Sequence, residues 1–143
     1  MAGMSRIKIE RPDAWDFSTD IPVRITDINY GNHVGNDALV GILHEARMQW
    51  LRSLGHASEL IAPPVGLIMV DLAIRFKHEA VFGDVLTVRL ALKDRTSRGF
   101  TLVYDISKAE GREVARAQSG FVFFDYTLKQ LADSSVEFVG TRH

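Results

Sequence analysis

One helix-period segment set between strand-period segments narrows the fold of this chain more than any other feature. From Asp37 to Leu54 the residues Leu39, Leu43, Ala46, Trp50 and Leu54 recur at helical spacing and form one apolar stripe. Asp37, His44, Glu45, Gln49 and Arg52 lie mainly on the other side. Asn36 suits the N-cap, Asp37 the positive first turn, and Gly55 the terminator. On both flanks the period falls to two. Ile21 to Ile25 alternates ahead of a polar turn, and Val65 to Phe76 is a long, mostly apolar run. Leu86, Val88, Leu90 and Leu92 share a face within Val85 to Leu92, as do Phe100, Leu102, Tyr104 and Ile106 in the next segment. Lys108 to Arg112 reads as a hairpin, after which Val114 to Tyr126 completes a meander. A strand, one long helix and then about four antiparallel strands predict an α+β domain whose curved sheet covers the helix. The segment His56 to Pro64 is expected to be an irregular linker, and Thr127 to His143 a loosely attached end.

Composition limits the function classes. A chain of 143 residues, 46% of them hydrophobic, is expected to form a single domain over 1–143 with a substantial core. The absence of Cys excludes disulfides, thiolate catalysis and cysteine metal sites, and fits a reducing compartment. A formal charge of −1 lacks the basic excess of a nucleic-acid binder. Met1 to Glu10 carries charges without an apolar core, and the run Val65 to Val70 is too short to span a bilayer, so a soluble, cytoplasmic protein without membrane association is expected. His33, His44, His56, His78 and His143 are scattered without ligand spacing, and neither a phosphate-binding nor a dinucleotide-binding glycine loop is present. No metal and no cofactor are therefore expected.

The chemistry concentrates in Arg24 to Asp37, where two acids, a histidine, three Asn and glycines lead into the helix start. Exposed backbone N–H groups, a positive dipole end and titratable side chains in one place suit polarising a carbonyl and activating water. Asp27 is a candidate base for water, alone or through Asn29, and equally a loop-holding partner of Arg24. His33 is a candidate base or orienting group, or a histidine bonded to loop backbone. Asn29 is a candidate to hold water or carbonyl, or a turn residue. Glu45, on the helix, is an alternative base or a solvated helix-face charge.

The run Arg24 to Arg47 resembles the signature of hot-dog fold acyl-CoA thioesterases of the 4-hydroxybenzoyl-CoA thioesterase-like group, roughly R-x-x-D-x-D-x-x-G-H-V-N-N followed by a helix with E-A-R. Asp27 matches the first acid, His33-Val34 the H-V, Asn36 the second Asn, and Glu45-Ala46-Arg47 the E-A-R. Ala80-x-Phe82-Gly83-Asp84 looks like the family's turn between its second and third strands, and the likeness covers a core of about residues 20–126. The sequence departs at Asn29, which stands where most members carry the catalytic acid, and at Gly31, Asn32 and Gly35. Asn cannot act as a general base or form an acyl anhydride.

The resemblance implies a hot-dog fold, an antiparallel sheet wrapped around one long central helix, assembled as a homodimer or homotetramer with sites at the seam. It implies hydrolysis of an acyl-CoA or acyl-carrier thioester to free acid and thiol. In that reading Asp27 is the base, Asn29 and His33 position carbonyl and water, and N–H groups of Val34, Gly35 and Asn36 bind the carbonyl oxygen. Coenzyme A, part of the substrate, would be met by Lys77 and His78 before one turn and Arg95 and Arg98 around the next. Two rival readings are a non-catalytic acyl-CoA binding module, made credible by Asn29, and an enoyl-CoA hydratase of the same fold, whose D-x-N-P-x-H is approached by Asp27-Ile28-Asn29 and His33.

Overall fold

A computed structural model describes residues 6–138. Strand β1 (Phe17–Pro22) leads through a 3-10 turn (Ile25–Asp27) and a loop into α1 (Asn36–Ser53). Strands β2 (Val65–Phe76), β3 (Val85–Lys93), β4 (Gly99–Lys108), β5 (Glu113–Asp125) and the two-residue β6 (Gln130–Leu131) follow. All pair antiparallel in one six-stranded sheet of order β1-β3-β4-β5-β2, with β6 beside the end of β5. This is the α+β arrangement expected, with α1 lying in the concave side of the sheet.

The helix forms where its stripe lies. Leu39, Leu43, Ala46 and Trp50 are buried, joined by Ile42, Arg47 and Leu51, while Leu54 is half-buried. Gly35 rather than Asn36 is the N-cap: Gly35 has the extended φ of −71° and ψ of 156°, and its carbonyl accepts the first helical bond from Leu39 at 3.0 Å. Gly55, at φ 93°, ends the helix as expected. Its N–H donates to the Arg52 carbonyl at 3.0 Å and that of His56 to the Leu51 carbonyl at 2.9 Å, closing a Schellman motif.

Three expectations change. The first strand runs over Phe17–Pro22 rather than from Ile21 to Ile25, since Pro22 is its last partner of β3 and the chain then turns. The end of the chain is not loosely attached as far as Phe138: that ring is 6% exposed, stacks on Trp50 at 5.5 Å and lies 4.8 Å from Phe100. The core therefore extends beyond residue 126. Strand β4 is buried on both faces, because residues before β1 cover the convex side, with Ile9 6% exposed. Residues 139–143 lie outside the described part. Among the described residues no helix is long and apolar enough to cross a membrane.

Candidate active site

The loop between the 3-10 turn and α1 is a small hairpin. Ile28 bridges Val34, the Asn29 N–H donates to the His33 carbonyl at 2.9 Å, and the Asn32 N–H donates to the Asn29 carbonyl at 3.1 Å. Asn32 takes a left-handed φ of 67°, which Asn tolerates better than most residues. Asn29 and His33 are thus cross-strand partners, and their side chains flank the same glycine. A Cβ on Gly31 would come within 3.2 Å of both Asn29 Oδ1 and His33 Nε2. A Cβ on Gly35 would meet Asp37 Oδ1 at 2.6 Å and Asn29 Nδ2 at 3.8 Å, so glycine there lets Asn29 and Asp37 converge on the helix start.

Hydrogen bonds decide what each side chain can do. Asn29 Oδ1 accepts the Gly31 N–H at 2.9 Å, which directs its donor amide away from that contact. His33 Nδ1 lies 3.3 Å from the Val34 carbonyl. A carbonyl only accepts, so this contact calls for a proton on Nδ1 and, in the neutral ring, leaves Nε2 able to accept one; Nε2 lies 3.8 Å from Glu79 Oε1, beyond hydrogen-bond reach and an ion pair once the ring is protonated. Glu79 carried no signal in the sequence, because its approach to His33 exists only once Val34 N–H has bonded the Ala80 carbonyl at 2.8 Å.

Asp27 is 5% exposed and fully engaged by Arg24. Its Oδ2 accepts the Arg24 backbone N–H at 2.8 Å and its Oδ1 accepts Arg24 Nη2 at 3.1 Å, while the Asp27 N–H donates to the Arg24 carbonyl at 3.0 Å and closes the 3-10 turn. Burial works to raise this carboxyl, but the hydrogen bonds and charge of Arg24 outweigh it and hold it below the usual carboxylate range. Of the expected backbone donors, Val34 N–H is taken by Ala80 and Gly35 N–H by the Asp27 carbonyl at 3.0 Å. The N–H groups ahead of the helical ladder are those of Asn36, Asp37 and Ala38.

A cavity of about 190 Å³ opens beside this loop, with His33, Val34, Asn36, Lys77, His78 and Glu79 on its wall and Leu39, Phe76 and Val114 beneath. It brings together His33, the helix start and two of the four expected cations. Arg95 and Arg98 are elsewhere. They sit in the β3–β4 turn, at the opposite end of β3, where Arg95 donates to the Ser134 and Val136 carbonyls at 3.0 and 2.8 Å and Arg98 pairs with Asp133 at 2.9 Å. Their partners are parts of the chain's own end, so within one protomer they hold that end down. Glu45 lines a separate groove of about 550 Å³ between α1 and β1, shared with Arg24 and Asp27, and accepts Gln49 Nε2 at 3.2 Å. No group of three or more His, Asp or Glu capable of holding a metal occurs among the described residues.

Residues 23–139 match the Thioesterase-like superfamily. The long-chain acyl-CoA thioesterase FadM of Escherichia coli (strain K12) is 30% identical over 116 residues, covering 80% of this chain and 88% of FadM. The crystal structure of Slr0204, a 1,4-dihydroxy-2-naphthoyl-CoA thioesterase from Synechocystis, superposes with a TM-score of 0.75 at 27% identity, covering 82% of this chain and 88% of that one. SAV2348 from Staphylococcus aureus, solved in complex with CoA, shares the fold at a TM-score of 0.77 and 18% identity, covering 82% of this chain and 75% of that one. One loop, one helix and a sheet wrapped round it thus agree with the sequence match along nearly the whole described chain, and the protein belongs to the thioesterase-like superfamily of hot-dog proteins.

Proposed function

We propose that the protein hydrolyses acyl-CoA thioesters at the cavity beside His33, as a cytoplasmic homodimer or homotetramer. The observation that carries this reading is the pairing of Asn29 with His33 next to the open first turn of α1, on a fold shared with a curated acyl-CoA thioesterase. The thioester carbonyl is polarised by the Asn29 amide and the N–H groups of Asn36 and its neighbours, where the helix dipole favours the developing negative charge. Water adds to the carbonyl carbon as His33 Nε2 takes its proton, and Glu79 faces the imidazolium that forms. The C–S bond then breaks, the imidazolium protonates the departing thiolate, and free acid and CoA result. Asp27 supports this step indirectly, by fixing the turn on which Asn29 is carried.

His78 lines the cavity that coenzyme A phosphates would approach, and Lys77 lines it beside His78 with its ammonium paired to Glu113, so Lys77 meets a phosphate only by leaving that carboxylate. The family's seam between subunits would bring further cations from a partner, Arg95 and Arg98 among the candidates. Thiol release from a panel of acyl-CoAs, run beside loss of enoyl-CoA absorbance, tests the reaction. Thiol release with stable enoyl absorbance is expected. Binding without turnover on every ester would make the protein an acyl-CoA binding module instead. Light scattering coupled to gel filtration tests the assembly, with a dimer or tetramer expected and a strictly monomeric active protein refuting the shared site.

A further inference from the structure

Gly41 is a helix-interior glycine that the protomer does not require. It is exposed within α1, and a Cβ built on it meets nothing within 4 Å. Glycine here only weakens the helix, through the backbone entropy it loses on folding, and no close approach within the chain accounts for it. A bare backbone at an exposed position does allow another chain to come close. Gly41 lies on the outer face of α1, which stands as a ridge between two grooves, one toward β1 and one toward β2. Asp37, Met48 and Arg52 share that face: at about 100° per residue the four positions fall within about 60° of one another. Asp37 and Arg52 are exposed charges of opposite sign in the first and last turns, and neither has a hydrogen-bond or ion-pair partner among the described residues. Met48 is half-buried, with its adaptable thioether side chain beside the β1 groove.

We propose that this face binds a second copy of itself, the two α1 helices packing antiparallel about a twofold axis that passes between His44 and Glu45. Two separate features call for that one axis. The midpoint of Asp37 and Arg52 and the midpoint of Gly41 and Met48 coincide in the sequence. A single axis therefore sets Asp37 against Arg52 of the partner subunit at both ends and seats Met48 of the partner subunit on the bare backbone at Gly41. Glycine lets the helix axes approach to about 8 Å, and a shallow crossing of about 20° keeps the terminal charges, about 11 Å from the twofold, within reach of one another. The two copies of Glu45 come to one flank of the axis, where each has its own Arg24 in the β1 groove. The other broad surface, the convex side of the sheet, is already covered by the chain itself: the Ile9 carbonyl accepts from Arg116, and the Arg89 guanidinium lies 5.0 Å over the Trp15 ring. The inference is independent of the hydrolysis reading and specifies the face on which two protomers would meet helix to helix.

Sedimentation and light scattering on the full chain at micromolar concentration test this. Gly41→Arg, for which the protomer has room, should halve the particle mass of the wild type, whatever other interface exists. Arg52→Glu should raise the concentration at which the particle splits by at least about tenfold, because the twofold repeats the lost pair. Adding Asp37→Lys reverses both charges and should restore the wild-type value. The chain has no Cys, so Gly41→Cys combined with Met48→Cys should give a disulfide-linked dimer under mild oxidation. Either cysteine alone lies about 10 Å along the helix from its own copy and should stay unlinked. A monomeric wild type, Gly41→Arg protein at wild-type mass, a charge reversal no better than Arg52→Glu, or a cysteine pair that does not link would overturn the inference. No step reads thiol release, so an assembled protein that hydrolyses no thioester would sink the hydrolysis reading and leave this one standing.

Discussion

Two polar clusters of this molecule are built to opposite ends. On the convex face of the sheet, Asp105 is 1% exposed, paired with Arg89 and with Arg11 at 3.6 Å, and accepts the Ser107 hydroxyl at 3.1 Å. Beside it Glu113 holds Lys77 and Arg116, and Arg116 donates to the Ile9 carbonyl at 2.8 Å, fastening the segment before β1 across the sheet. Each of these charges is matched, as burial requires. At the helix start the reverse holds: Asn29 and His33 are half-buried, Asn32 sits at positive φ, and the first-turn N–H groups lie ahead of the helical ladder. Matched groups hold elements together. Groups with spare donors and a lone pair facing a cavity can meet a substrate.

The sharpest way to break that contrast is to remove the lone pair. His33→Gln keeps a polar side chain but no proton acceptor of comparable strength, and should lower kcat about 10³-fold with KM little changed. Steady-state thiol release measures it. A fall of only a few-fold would move the base elsewhere, with Glu45 in the α1–β1 groove the next to test through Glu45→Gln.

The convex cluster should answer in stability rather than turnover. Burial pushes Glu113 up, but Lys77, the proton shared with Asp105 and Arg116 overcome this and hold it at about 2, whereas burial and Glu113 push Asp105 upward. A carboxyl depressed on folding stabilises the fold above its ordinary value, and that stability is lost as pH falls toward the depressed one. Glu113→Gln should therefore cost about 2 kcal/mol at neutral pH, with the gap to wild type closing as pH drops from the ordinary glutamate range toward about 2. Urea unfolding across that range reads it. Asp105 works with the opposite sign, its raised carboxyl favouring the fold as pH falls, so the pair titrates as one unit and its two contributions partly cancel. A gap that widens with acid would contradict the pairing.

The contrast also explains what was legible in the sequence. Elements whose apolar residues recur at a regular period announce themselves, so α1 and β2 to β5 follow directly from the sequence, although β4 is buried on both faces and its second face did not show in the period. The edge strand β1 does not, because Ser18, Thr19 and Asp20 give its start no apolar rhythm. Nor does Phe138, a single aromatic whose place is a gap between Trp50 and Phe100. The convex charges are invisible because β4–β5 register alone sets Asp105 opposite Arg116 and Ser107 opposite Glu113. The loop of Asn29 and His33 was legible because its parts are adjacent in the chain. The separation of Arg95 and Arg98 from Lys77 follows from β3 itself: the β2–β3 crossover enters one end of that strand and the β3–β4 turn leaves the other.

Within the loop, Asn29→Asp sharpens the comparison by adding a charge where matching is incomplete. It restores the family's usual acid and should raise kcat about tenfold if the pocket geometry otherwise serves hydrolysis. The new carboxylate would sit near Asp37, so the acid limb of the pH–rate profile should move upward. Folded protein with no turnover on any chain length would show that the pocket lacks more than a carboxylate.

The smallest effect is expected at Asp27, the one loop side chain built like the convex cluster. Its partner Arg24 is 73% exposed, so solvent screens the pair, and Asp27→Asn should cost only about 1 kcal/mol at neutral pH. Because folding lowers this carboxyl, its contribution is present above the ordinary aspartate value and fades as pH falls below it, so variant and wild type should converge in acid. Turnover should stay within a few-fold, since the amide can still accept the Arg24 backbone N–H and keep the turn that carries Asn29. Both readings come from the same two proteins, through thermal unfolding against pH and thiol release at neutral pH. A hundredfold loss of kcat without loss of stability would assign Asp27 the water's proton and reduce His33 to an orienting group. It would also show that a carboxylate fully matched in the resting protein can be freed by substrate, and the distinction between the two clusters would then be one of mobility rather than of pairing.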